Sequence, residues 1–119
     1  YEILIGLVGS EMCIRDSGYP VNLEFGGHGV GHIMHGDPHV PNDGKAHHGY
    51  KLRPGLVIAI EPWFMKTTDE IFQDQRDGWT LRSVDGSRGA HSEHTIAITE
   101  NGPIVLTARE GDPLSKLYN

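Results

Sequence analysis

No stretch of this chain carries apolar residues at helical spacing; they come in short runs cut off by Gly, Pro, Asp and Asn. A surface helix needs an apolar stripe recurring about every 3.6 residues. Its absence leaves short strands joined by tight turns, and the reading is mostly antiparallel β. Residues 21–25 alternate apolar and polar, as a strand does. They run into Gly26-Gly27-His28-Gly29-Val30-Gly31, read as a flexible turn where backbone can approach a ligand closely. Pro38 and Pro41 make 35–42 an extended loop, and 43–50 reads as an exposed loop. After the Pro54-Gly55 turn, 56–60 form an apolar strand that Glu61-Pro62 ends. Residues 66–78 read as a polar connection. Strands are expected at 79–84 and 91–99, with a turn at 85–89 between them. A hairpin turn at 100–103 then leads to a return strand at 104–107.

Composition narrows the function. Lys+Arg 10 against Asp+Glu 16 give a net charge of −6 without any basic cluster, which argues against DNA or other nucleic acid as partner. No apolar run approaches the roughly 20 residues that span a bilayer. The single cysteine, Cys13, excludes an internal disulfide and a Cys-based zinc site. Against this background 8 His and 16 Gly in 119 residues are unusual, and both concentrate attention on 26–36.

Residues 1–17 fit poorly with the rest of the chain. Their apolar patch at 3–8 is interrupted by Gly6, and they start Tyr1-Glu2 without the basic start or cleavage site of a secretory signal. A buried strand is one reading. The segment more closely resembles translated adapter sequence, which would start native sequence near Gly18 and make 18–119 the domain proper.

Three places resist explanation as packing alone. His28, His32 and His35 cluster in the glycine-rich run, and neutral imidazole is the commonest metal ligand; surface loop histidines are the competing reading. Glu61 directly follows an apolar strand, where a carboxylate is costly unless it meets a cation, strong donors or water. Glu93 lies on the more polar face of the last hairpin with Thr95, while His94 lies on the apolar face and could support a ligand from behind. One imidazole and two carboxylates suit a divalent ion, or two ions sharing a carboxylate. Further carboxylates would then be needed. Asp37, Asp43, Asp69, Asp74, Asp77, Asp85 and Asp112 all stand in turn or loop sequence. An independent metal site at His47-His48 is disfavoured, because adjacent residues of a strand cannot both face one ion.

Taken together, Gly27-His28-Gly29-Val30-Gly31 with His35 and Pro38, Pro54-Gly55-Leu56 with Ile60-Glu61-Pro62, Asp77-Gly78-Trp79-Thr80, and Glu93-His94-Thr95 with Thr99, Gly102, Leu106 and Thr107 resemble type I methionine aminopeptidase in order and spacing. The resemblance implies an α/β fold, here the C-terminal half of a pita-bread (creatinase/aminopeptidase) fold, and removal of initiator methionine from nascent polypeptides. It implies two divalent metal ions (Co, Mn, Fe or Zn), with His28 and Glu61 as ligands and Glu93 shared by both. Glu61 would also shuttle a proton, His35 would hydrogen-bond substrate near the scissile carbonyl, and Trp79 would line the methionine pocket. A cytoplasmic, monomeric enzyme, ribosome-associated in some settings, follows from that role. Gly36 departs from the acidic residue usual after the second histidine. The family's two aspartate ligands and a further histidine belong to an N-terminal half without counterpart here, so weak metal binding and little turnover are expected of this chain. An Xaa-Pro aminopeptidase or prolidase of the same fold is the alternative enzyme, though Ser92 and His94 around Glu93 favour the methionine enzyme. A non-catalytic module of this fold would have lost its ligands, and His28, Glu61 and Glu93 are all present.

Overall fold

The computed structural model describes residues 18–44 and 49–111; the expected leader, His47-His48 and Asp112 lie outside them. Among the described residues there is no helix, and nine strands form three antiparallel sheets. β1 (Gly27–Gly29), β2 (Gly36–Val40), β3 (Val57–Ile60), β8 (His94–Thr99) and β9 (Gly102–Val105) make a five-stranded sheet in the order β2-β1-β3-β8-β9. β4 (Trp63–Met65) pairs with β7 (Gly89–His91), and β5 (Ile71–Gln73) pairs with β6 (Leu81–Ser83).

The two faces of the large sheet differ because strand side chains alternate. Ile58 stands opposite Ile96, and with Ile60 and Ile98 they fill one face against Val40 and Leu52. The other face carries His28 opposite Ala59, and Ala59 opposite Thr95. Apolar burial on the first face, at about 25 cal/mol per Å², anchors strands whose second face is left for polar chemistry.

β3 and β4 flank Glu61-Pro62, and β7 and β8 flank Ser92-Glu93. Ile60 pairs with His94 on one side of this break, and Trp63 with His91 on the other. Both ladders keep one register, so Glu61 falls opposite Glu93 where the sheets part. The strand expected over 91–99 is therefore two strands that serve different sheets.

Other expectations need correction. Residues 21–25 do not form a strand. Only Val21 bridges, to Phe64, and the side chain of Asn22 accepts the amides of Glu24 and Phe25 in a local turn that overrides the alternation. The glycine run contains β1, and 35–42 contains β2, an edge strand that tolerates Pro38 beside a cis Asp37–Pro38 peptide. The polar connection 66–78 includes β5, and the strand expected at 79–84 is confined to β6. The last hairpin turns at Glu100–Asn101, so its return strand starts at Gly102. β4 is unexpected from the sequence, because Pro62 reads as a terminator. No helix among the described residues is long and apolar enough to cross a membrane.

Candidate metal centre

β1 presents His28, the end of β3 presents Glu61, and the start of β8 presents Glu93. Pairing of His28 with Ala59 and of Ala59 with Thr95 puts Glu61 and Glu93, each two residues along its chain, on the same sheet face as His28. One ligand atom from each of the three lies within 4.8 Å of the others. His28 and Glu61 are largely shielded, with side chains 13% and 14% exposed, while Glu93 is half exposed.

The tautomer of His28 is fixed by its own strand. Its Nδ1 lies 3.0 Å from the Gly29 carbonyl oxygen, which can only accept, so Nδ1 carries the proton. Nε2 faces Glu61 Oε1 at 3.4 Å. That spacing is long for a hydrogen bond and suits two atoms bound to one ion. The other oxygen of Glu61 accepts the indole N–H of Trp63 at 3.2 Å, which orients the carboxylate. A borderline nitrogen and two carboxylates form a donor set that fits a divalent transition ion.

His35 packs edge-on to the His28 ring, with centroids 4.5 Å apart, so the structure brings it to the centre. Trp79 lies in the turn before β6 and is 84% exposed. Its backbone N–H donates to Asp77. His32 is exposed and stands outside the His28–Glu61–Glu93 group. His94 turns to the opposite face, where its Nδ1 meets the Thr107 hydroxyl at 2.9 Å. Thr107 also accepts the Thr95 amide, so the pair pins the β8 end that carries Glu93.

Several loop aspartates are committed elsewhere. Asp74 is buried and takes the side chains of Arg76 and Arg82, which hold its carboxyl well below the usual carboxylate range. The Thr80 hydroxyl, then the amides of Thr80 and Trp79, lower Asp77 to about 2. The Thr67 hydroxyl, followed by the Ser87 amide, likewise keeps Asp85 well below its ordinary value. These three staple turns and do not reach the centre.

Two residues at the centre escaped the sequence reading. Trp63 follows Glu61 by two residues and His91 precedes Glu93 by two, so strand periodicity alone would have placed both on the ligand face. A cleft of about 500 Å³ between the two small sheets is bordered by both, together with Met65, Ile71, Phe72 and Leu81.

The profile of metallopeptidase family M24 matches residues 9–100, most of the chain. The chain belongs to metallopeptidase family M24. Among M24 relatives, methionine aminopeptidase of Aquifex aeolicus is 49% identical over 92 residues, which cover 76% of this chain and 35% of that protein. Methionine aminopeptidase 1 of Mycobacterium tuberculosis is 49% identical over 84 residues, 70% of this chain and 31% of that one. The crystal structure of methionine aminopeptidase from Thermotoga maritima matches with a TM-score of 0.82 and 42% identity, covering 91% of this chain and 44% of that chain. The chain thus spans about a third of the length of these curated relatives. The resemblance read from the motifs holds, and the strands are those of the pita-bread fold. Membership of a metallopeptidase family implies use of a divalent metal, and the donor set of His28, Glu61 and Glu93 fits one.

Proposed function

We propose that this chain forms part of the active centre of a metal-dependent aminopeptidase that removes the initiator methionine from new polypeptides. The observation that carries the reading is the meeting of His28, Glu61 and Glu93 donor atoms within 4.8 Å on one sheet face. The names of the M24 relatives direct it to methionine. In this reading His28 and Glu61 serve one divalent ion and Glu93 is shared with a second, the ions being cobalt, manganese, iron or zinc. When bound, such ions supply Lewis acidity toward a carbonyl and lower the pKa of water toward neutrality.

The chain's own side chains supply the rest. Glu61, oriented by the Trp63 N–H, carries a proton to the leaving amine. His35, exposed beside His28, donates a hydrogen bond to the substrate near the scissile carbonyl. Trp79 offers an exposed indole to the methionine side chain. The remaining carboxylate ligands come from a segment that precedes these strands in the full-length protein. A substrate of new polypeptides would be met in the cytoplasm, close to the ribosome.

A chimera tests this: residues 18–111 replace the matching segment of the Thermotoga maritima protein. It is expected to release methionine from Met-Ala-Ser. Glu61→Ala should cut the rate by about 100-fold or more, the range for losing an acid–base group, and His28→Ala and Glu93→Ala, which each remove a proposed ligand, should lower the rate together with the metal content. A folded, metal-loaded chimera that leaves the peptide intact refutes the reading.

A further inference from the structure

We infer that a clamped tryptophan, Trp63, selects which oxygen of Glu61 serves the metal: its N–H takes Oε2 and leaves Oε1 turned to the ion beside His28. The inference rests on the proposed metal centre and adds to it a positioning residue outside the site that the resemblance implies. Trp63 follows Glu61 by two residues, and in extended chain that spacing turns both side chains to one side. Pro62 stands between them with its φ fixed by the ring, so the link is short and stiff.

Distances divide the carboxylate. Oε2 accepts the Trp63 N–H at 3.2 Å, while Oε1 faces His28 Nε2 at 3.4 Å. His91 Nε2 stands 3.6 Å from Oε2, beyond the roughly 2.7–3.2 Å of an N–H···O hydrogen bond, so it does not compete for that oxygen. The indole N–H can only donate. Turning Oε2 toward an ion would leave that half-buried N–H without its acceptor, a loss that keeps the carboxylate in the orientation observed.

The indole is itself clamped. Its ring packs on His91 with centroids 4.4 Å apart and on Phe25 at 5.5 Å. Phe25 is held through its backbone: its N–H donates to Asn22 Oδ1 at 3.0 Å, and its carbonyl oxygen accepts Asn42 Nδ2 at 2.9 Å. Asn22 is 1% exposed. Its backbone N–H donates to the Trp63 carbonyl oxygen at 3.0 Å, and its side-chain amide donates to the Asp69 carbonyl oxygen at 2.7 Å. A buried amide with its bonds made ties 22–25 to the Trp63 backbone, and this is why the segment folds over the ring instead of running on as a strand. Packing alone would be met by any aromatic ring; the N–H is the part that reaches a ligand.

Trp63→Phe keeps a ring in the clamp and removes the N–H. In the intact 119-residue chain its Zn²⁺ affinity by calorimetry should fall about 10- to 100-fold, the range for losing the partner of a ligand, while its melting temperature in chelator matches the parent. With 2 tryptophans the unmodified chain gives two indole N–H resonances, and Trp63→Phe assigns them. Zn²⁺ should shift the Trp63 resonance and leave it slower to exchange with solvent than that of exposed Trp79. Trp63→Phe binding Zn²⁺ as tightly as the parent, or melting well below it in chelator, overturns the positioning role and leaves the metal centre standing. So does a Trp63 N–H that exchanges as fast as that of Trp79 once Zn²⁺ is bound. Absence of Zn²⁺ binding by the unmodified chain overturns both. Because the exchange is read in the unmodified chain, a variant that fails to fold does not blur the answer.

Discussion

A Cβ added to Gly27 would stand 2.0 Å from the Ala59 carbonyl oxygen, and one added to Gly29 would stand 1.9 Å from that of Asp37. Both contacts are with backbone, which cannot swing aside. These glycines let β1 slot between β2 and β3 so that His28 reaches the carboxylates. Gly29→Ala must push β1 off β2, and overpacking of this kind costs about 1–3 kcal/mol or more. It should lower the melting temperature and weaken Mn²⁺ binding although no ligand is touched. Gly31→Ala, with no atom within 4 Å of the added Cβ, is the control and should match the parent in both. Equal melting of Gly29→Ala and the parent would discredit the account. The sequence shows that backbone approaches closely at this run, but not what approaches. Glycine lacks strand propensity, so a strand made of Gly27, His28 and Gly29 is invisible locally and exists because its neighbours need the space.

At the level of elements, the β5–β6 hairpin shows why some structure could not be read from sequence. Ile71-Phe72-Gln73 is too short to show a period, and what fixes the hairpin is a set of carboxylates with partners from 2 to 18 residues away. Asp74 gathers Arg76 and Arg82, Asp77 holds Thr80 and the Trp79 amide, and Asp85 holds Thr67 and Ser87. By contrast β3 was legible almost to its ends, and β8 and β9 were legible as strands with bounds displaced by two or three residues, because each carries an apolar run long enough to declare itself. The three aspartates have folded pKa values below the ordinary 3.8. Between the folded and unfolded values the unfolded chain binds more protons, so their stabilisation rises with pH through that interval. It is complete above about pH 4 and is lost as pH falls through the folded value, which for Asp77 is about 2. The Trp79 amide resonance should therefore titrate near pH 2, with the hairpin loosening in acid before the five-stranded sheet. Asp77→Asn should abolish that titration. A Trp79 amide unchanged from pH 4 to pH 2 would contradict the assignment.

Across the whole molecule, the face that binds and the face that folds are separate, and this sets up a conflict. Ile58, Ile60, Ile96 and Ile98 hold the sheet from one side, while on the other Glu61 and Glu93 bring like charges together where two ladders part. Opposed like charges destabilise paired strands, so without metal the centre works against the fold. A bound ion reverses this by tying β1 to the ends of β3 and β8. At 100 times the dissociation constant, a ligand specific for the folded state adds about 2.7 kcal/mol. For a domain near this size, each kcal/mol raises the melting temperature by about 4–8 °C. Glu93→Gln removes one of the facing charges and one ligand together. In chelator the variant should melt at or above the parent; in saturating Mn²⁺ the parent should melt higher by about 10 °C or more. That crossing of order separates a ligand from a structural carboxylate, because a side chain that merely packs would lower both melts alike. Parallel melting curves for the two proteins, offset equally with and without Mn²⁺, would remove Glu93 from the centre and with it the shared-carboxylate reading.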